Sequence, residues 1–252
     1  MSKIKINDLV AKSQWLRNKV FDMAVRTQQG HLASVLSQIE IMISLYYGGI
    51  MHYSKGKPND PDRDRLIISK GHATMGVYPI LADLNYFSET ELERYGAPGA
   101  LLRIFGNITI PGVEATTGSL GQGLGIGCGF CEAAKHDGKN YYTYVIISEG
   151  EMYEGATWES AMYAAHNQLD NLVVIIDRNH KIILGDTEEM LKLEPLNKKW
   201  ASLGWEVILA DGHSYESLIQ SLKRAKKTKN KPSVIIAETV KGKGISYMEN
   251  RH

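Results

Sequence analysis

Charge of either sign is in no excess in this 252-residue chain. Lys and Arg number 29 against 28 Asp and Glu, so nothing points to nucleic acid or a membrane surface as partner. No run of about 18 apolar residues occurs, so no segment reads as a bilayer span. The opening stretch MSKIKINDLVAKSQWLRNKVF has no apolar core of the signal-peptide kind, and the cytoplasm is the expected location. Cysteine is scarce. Cys128 and Cys131 form a lone C-x-x-C in GIGCGFCEAA, with no second pair to complete a zinc site. They read as two small residues on a tightly packed glycine-rich helix.

What is present suits a folded core. Hydrophobic residues make up 43% of the chain, which is globular rather than disordered composition, and the length suits one large α/β domain. Leu9, Leu16, Val20, Met23 and Ala24 recur at helical spacing, which predicts a helix over 8–28 capped by Asn7. QIEIMISLYYGG (38–49) reads as a second helix ended by glycine. DRLIISK (64–70) reads as a short strand, and SETELERYG (88–96) as a helix with Ser88 as cap and Glu91 three residues on. GSLGQGLGIGCGFCEAAKHDG (118–138) carries six glycines before its last turn and predicts a helix lying very close to other backbone. The second half alternates. YYTYVIIS, NLVVIID, WEVILA and KPSVIIAET are strands, with helical segments GATWESAMYAAHNQL, NKKWASLG and SYESLIQSLKRAKKT between them. The strands are apolar on both faces, so the expected fold is α/β, a mainly parallel sheet sandwiched by helices. The basic run 223–231 reads as a solvated helix end. No linker or repeat is visible, and one domain is expected over 1–252.

Ligands of such sheets sit at the carboxyl ends of the strands. Three segments are expected there together: SEGE after the 144–147 strand, DRN (177–179), and DGHS (211–214). Glu149 and Asn179 are hard oxygen donors, and Gly150 lets a phosphate approach the backbone ahead of a helix N-terminus. A diphosphate bridged to Mg²⁺ fits the first two loops. Turn capping by Glu149 and Asn179 is the structural alternative.

SEGEMYEGATWESAMYAAHNQLDNLVVIIDRN resembles the thiamine-diphosphate motif of the transketolase family, which begins Gly-Asp-Gly and ends in an Asn near 30 residues later. QQGHLAS (28–34), DRDRLIISKGHA (62–73), PGVEATTGSLGQGLG (111–125) and KGKGIS (241–246) resemble further motifs of the same family, in order. The likeness runs over nearly the whole chain. It implies the diphosphate-binding half of a split transketolase. The pyrimidine-binding and C-terminal domains would lie on a partner chain in an α₂β₂ assembly.

The resemblance also implies roles. Glu149 would hold Mg²⁺ (or Ca²⁺ or Mn²⁺) with the Asn179 side chain and the Lys181 carbonyl. Glu149, Gly150 and Glu151 would line the diphosphate with Gly118, Ser119, Leu120 and Lys241, and Ile183 would be an apolar cofactor contact. His31 and His72 would handle protons and hydroxyls of the cofactor-bound sugar, with His72 also touching the cofactor. Ser34 and Lys70 would line the substrate region. Glu154 and Glu159 would meet the partner's glutamate near the pyrimidine as a proton relay. His213 has no such counterpart and reads as a turn histidine. The implied reaction is transfer of a two-carbon ketol unit from a ketose to an aldose, the cofactor's carbanion breaking the C–C bond.

Three departures stand out. The metal motif reads Ser-Glu-Gly, so its carboxylate is one methylene longer than aspartate, and an aspartate at 149 is expected to be tolerated. LLRIFGNITIPGVE is too short for the family's Gly-His-Pro. The family's Trp-His-Gly would fall past His252. The missing Gly-His-Pro leaves a 2-oxo acid donor as the alternative, as in deoxyxylulose-phosphate synthase or a dehydrogenase component. A Rossmann module lacks its G-x-G-x-x-G here, and a non-catalytic scaffold would be exposed by cofactor titration.

Overall fold

A computed structural model describes residues 5–251. Leu9, Leu16, Val20 and Met23 are buried along one side of α1 (Ile6–Thr27), as their spacing predicts. Asn7 is not the cap. The helix starts at Ile6 behind Lys5, without a side-chain cap bond. Next come α2 (Leu32–Leu36), α3 (Ile39–Tyr47), which stops at Gly48, and β1 (Arg65–Ile68). A 3₁₀ turn (Gly71–Gly76) leads into α4 (Tyr78–Asp83). The helix expected over 88–96 is a single turn, α5 (Thr90–Glu93). Ser88 Oγ accepts from Thr90 N at 3.3 Å, and no capping box with Glu91 forms.

The alternating half follows its pattern: α6 (Gln122–His136), β2 (Thr143–Ser148), a 3₁₀ segment (Glu149–Tyr153), α7 (Gly155–His166) and β3 (Leu172–Arg178). A small antiparallel hairpin, β4 (Lys181–Ile182) and β5 (Gly185–Asp186), and the short α8 (Thr187–Met190) precede α9 (Leu196–Ser202). β6 (Glu206–Asp211), α10 (Tyr215–Lys227) and β7 (Ser233–Glu238) complete the fold. Five strands pair in parallel in the order β1-β2-β3-β7-β6.

Both faces of the sheet are covered. Along β2, Tyr144 and Ile146 join one core while Val145 and Ile147 join the other, and β3 divides Val173 and Ile175 from Val174 and Ile176 in the same way. The first core meets Leu16, Ile41, Leu81 and Leu218 of α1, α3, α4 and α10. The second meets Leu124, Ala161 and Trp200 of α6, α7 and α9. Each Leu, Ile or Val among them buried in full contributes about 1.5–3 kcal/mol.

The glycines of α6 face two ways. A Cβ on Gly123 would lie 2.3 Å from Ser69 Oγ and 2.8 Å from its Cα, so glycine lets the helix sit directly on the end of β1. Gly125 and Gly129 are exposed on the opposite side. Cys128 and Cys131 are free and buried on this helix, and burial pushes each thiol up to about 12, which leaves them inert. The basic end of α10 is a surface feature. Arg224 and, at 2.6 Å, Lys231 pair with Glu206.

The DGHS loop lies at the carboxyl ends of the strands, as expected, but it follows edge strand β6, which β7 separates from β3. The segment beside the ends of β2 and β3 is instead 239–241, after β7, where Thr239 N donates to Arg178 O at 2.9 Å. Every strand here is apolar on both faces, so the hydrophobic pattern does not say which is the edge.

Candidate active site

Ser148, the last residue of β2, is in register with Asp177 on β3. The residues just past both strands therefore meet. Glu149 Oε1 accepts from Lys181 N at 2.8 Å, and Asn179 Oδ1 accepts from the same N–H at 3.2 Å. Glu149 Oε2 accepts from the Arg178 guanidinium. Burial pushes the Glu149 carboxyl upward, and Arg178 works against it. Lys181 thus meets both side chains through its N–H rather than through the carbonyl that the resemblance assigns. The N–H brings two hard oxygens side by side, and oxygens of this kind are what Mg²⁺ takes, with phosphate oxygens and water filling its shell. Among the described residues no three His, Cys, Asp or Glu side chains gather to hold a metal, so diphosphate oxygens and water would complete the shell.

His31 opens α2 and His72 opens the 3₁₀ turn after β1. Their ring centroids are 5.2 Å apart, edge to face. Burial first, then the Lys70 charge, pushes His72 down to about 3. It is therefore neutral at physiological pH, able to donate or accept a hydrogen bond but not to act as a cation. His31 is exposed. A Cβ on Gly71 would lie 2.6 Å from Gly118 N and from Thr117 C, so only glycine lets the His72 turn pack against that loop. The contact brings Gly118 against the turn that carries His72, and the next two residues are exposed Ser119 and half-buried Leu120. Gly150 is half-buried, with Ile182 Cγ2 3.3 Å from where its Cβ would stand.

Two residues expected at ligands turn inward. Lys70 is 1% exposed. Its Nζ donates to Asp177 and, at 2.9 Å, to Ser34 O. Asp177 also accepts from Ser37 Oγ at 2.6 Å and from Thr239 Oγ1. Burial would raise this carboxyl, but Lys70 and the two hydroxyls outweigh it and hold it low. Glu151 is fully buried. Its Oε1 accepts from Ser69 Oγ and from Gly121 N at 3.0 Å, and its Oε2 from Ser148 N at 2.8 Å. It fixes the start of α6 to the ends of β1 and β2.

The rest remain at the surface of this chain. Glu154 and Glu159 are exposed at the start of α7, and Ile183 is 87% exposed in the β4–β5 hairpin. Ser34 is half-buried. Gly242 N donates to Ala33 O at 3.1 Å, which seats Lys241 beside α2. Burial, then Lys181 and Lys70, lower the Lys241 ammonium, so these three lysines share this end of the sheet with Arg178. His213 is a structural residue. Val240 N donates to its Nε2 at 2.8 Å, so Nδ1 carries the proton and donates to Glu40 at 2.9 Å. Sequence reasoning missed Asp177, Arg178 and Thr239, although Asp177 and Arg178 lie inside the DRN segment it singled out. A groove of about 1440 Å³ lined by Tyr46, Tyr47, Tyr53, Lys223 and Lys227 contains none of the site residues.

Comparison with known proteins agrees with this geometry. Residues 10–252 match the family model described as transketolase, thiamine diphosphate binding domain. An apulose-4-phosphate transketolase subunit of Phocaeicola vulgatus is 37% identical over 98% of this chain and 87% of its own length. The 6-deoxy-6-sulfo-D-fructose transketolase subunit of a Clostridium species is 36% identical over 97% of this chain and 89% of its own. The crystal structure of transketolase from Campylobacter jejuni superposes with a TM-score of 0.91 at 31% identity, over 97% of this chain but only 39% of that one. The chain thus spans about two fifths of that solved transketolase and nearly the full length of the two relatives named as subunits. It belongs to the transketolase family, as a thiamine-diphosphate-binding domain.

Proposed function

We propose that this chain is the diphosphate- and metal-binding subunit of a split transketolase. The observation that carries this is the gathering of Glu149 and Asn179 oxygens on Lys181 N, at 2.8 and 3.2 Å, where β2 and β3 end side by side. When bound, thiamine diphosphate supplies the carbanion chemistry that breaks a ketose C–C bond. Glu149 and Asn179 would hold the Mg²⁺ that bridges to the diphosphate, with Lys181 beside it. Gly118, Ser119, Leu120, Gly150 and Lys241 would line the diphosphate, and Ile183 the ring system. His72, neutral, would orient a substrate or cofactor hydroxyl, and the exposed His31 would exchange the proton. Ser34 would border the sugar.

Residues 1–252 would form one domain, with the pyrimidine domain on a separate C-terminal chain. The naming of the relatives as subunits supports this reading. Glu154 and Glu159 would then be covered by partner chains and join the proton relay, and the exposed side of α6 at Gly125 and Gly129 would pack in an α₂β₂ assembly. Among the described residues no helix is long and apolar enough to cross a membrane, and the proposed setting is the cytoplasm. The relatives named for apulose phosphate and sulfofructose favour a ketose donor with altered substituents over a 2-oxo acid. The test is titration of thiamine diphosphate in Mg²⁺ into the chain combined with its partner. Glu149→Gln should weaken binding, and unchanged affinity would refute the assignment.

A further inference from the structure

Arg178 lies at the candidate metal site, and no role above uses it. Its side chain is wholly out of solvent. Nη1 donates to Glu149 Oε2 and, at 3.3 Å, to Thr187 Oγ1. Nη2 donates to Glu194 Oε1 at 2.9 Å and to Glu188 Oε1 at 3.3 Å. Those carboxylates in turn accept backbone N–H groups, Glu188 from Leu193 at 3.1 Å and Glu194 from Leu196 at 2.8 Å. One guanidinium therefore joins the ends of β2 and β3 to the segment 187–196.

This contact explains the longer acid at 149. Glu149 reaches two places at once, Lys181 N with one oxygen and Arg178 with the other. An aspartate would draw the carboxylate back by roughly 1.5 Å, one C–C bond, and could not keep both. We propose that Arg178 is a positioning residue. It fixes Glu149 so that one carboxylate oxygen faces the cation site beside Asn179, and the two residues form a matched pair. A carboxylate held in place loses less freedom when it takes an ion. Glu188 and Glu194, 35% and 52% exposed, already offset the guanidinium charge, so positioning of Glu149 outweighs any repulsion of the ion. The expectation that aspartate is tolerated at 149 is thereby reversed.

This inference rests on the metal-binding reading, and the experiment separates the two. Mn²⁺ is titrated into the full chain with inorganic diphosphate, and free Mn²⁺ is read by its paramagnetic resonance signal. Melting temperatures identify the folded variants. Arg178→Met and Glu149→Asp should each weaken Mn²⁺ binding about tenfold. The double variant should bind no worse than Glu149→Asp alone, because the shorter acid has already lost the contact through which Arg178 positions it. Such coupling is of the size found for residues in direct contact. If Arg178→Met does not fold, Arg178→Lys runs the same cycle, and its single-point ammonium should also weaken binding. Additive effects, or affinity within about twofold of the parent in the Arg178 variants, would overturn the proposal. If Glu149→Gln also leaves Mn²⁺ binding unchanged, it is the metal-binding reading that falls.

Discussion

Lys70 and Asp177 form an ion pair with both side chains closed off from solvent, 1% and 0% exposed. The pair ties the turn after β1 to the end of β3, and Ser37 and Thr239 complete the shell around the carboxylate. Removing one member strands the other charge. Lys70→Met should cost about 3–5 kcal/mol, and Lys70→Met with Asp177→Leu should recover much of that. Urea unfolding of the three variants checks it. Because Asp177 is held below its usual range, its contribution is present above the ordinary carboxylate pKa and is lost as pH falls through the lowered one.

His72 gives the opposite pH signature. The unfolded chain takes up a proton there near 6.5, and the folded chain not until about 3. Stability therefore falls as pH drops through 6.5. By pH 5 the loss from this residue should be about 2 kcal/mol. His72→Asn should flatten stability between about pH 7 and 5. A variant whose pH dependence matches the parent would show that His72 is not held neutral.

Much of the fold was readable because its strands are apolar on both faces and its helices keep their period. The site was readable in part. Glu149, Gly150 and Asn179 stand beside strands whose ends any parallel sheet would bring together. The burial of Lys70 and Glu151 was not legible, because their partners lie far off in sequence. Lys70 finds its partner 107 positions away and Glu151 reaches Ser69 across 82. Arg178 carried no signal, since one basic residue at a strand end usually reads as solvated.

The donor preference can be tested at the 105–111 loop, where the family's Gly-His-Pro is missing. Asn107 is engaged elsewhere. Its Oδ1 accepts from Thr109 N at 2.9 Å in a local turn, and the residue is half-buried. Loss of a hydrogen bond to a substrate hydroxyl costs about 1.5–3 kcal/mol, or roughly ten- to a hundredfold in rate. The complex should therefore turn over xylulose 5-phosphate with a specificity constant below about 10⁴ M⁻¹s⁻¹ and favour a ketose with altered substituents. Asn107→Ala should leave the ranking of donors unchanged. Efficient use of xylulose 5-phosphate would contradict this.

The most direct measurement is ketol transfer by the purified chain with thiamine diphosphate and Mg²⁺, with and without a pyrimidine-domain partner. The chain alone should be inactive. The pair should move a two-carbon unit from a ketose to an aldose, and Glu149→Gln should abolish most of that transfer. Transfer by the chain alone, or a correctly assembled pair that binds the cofactor yet cleaves no ketose, would contradict the reading of this protein as half of a split transketolase.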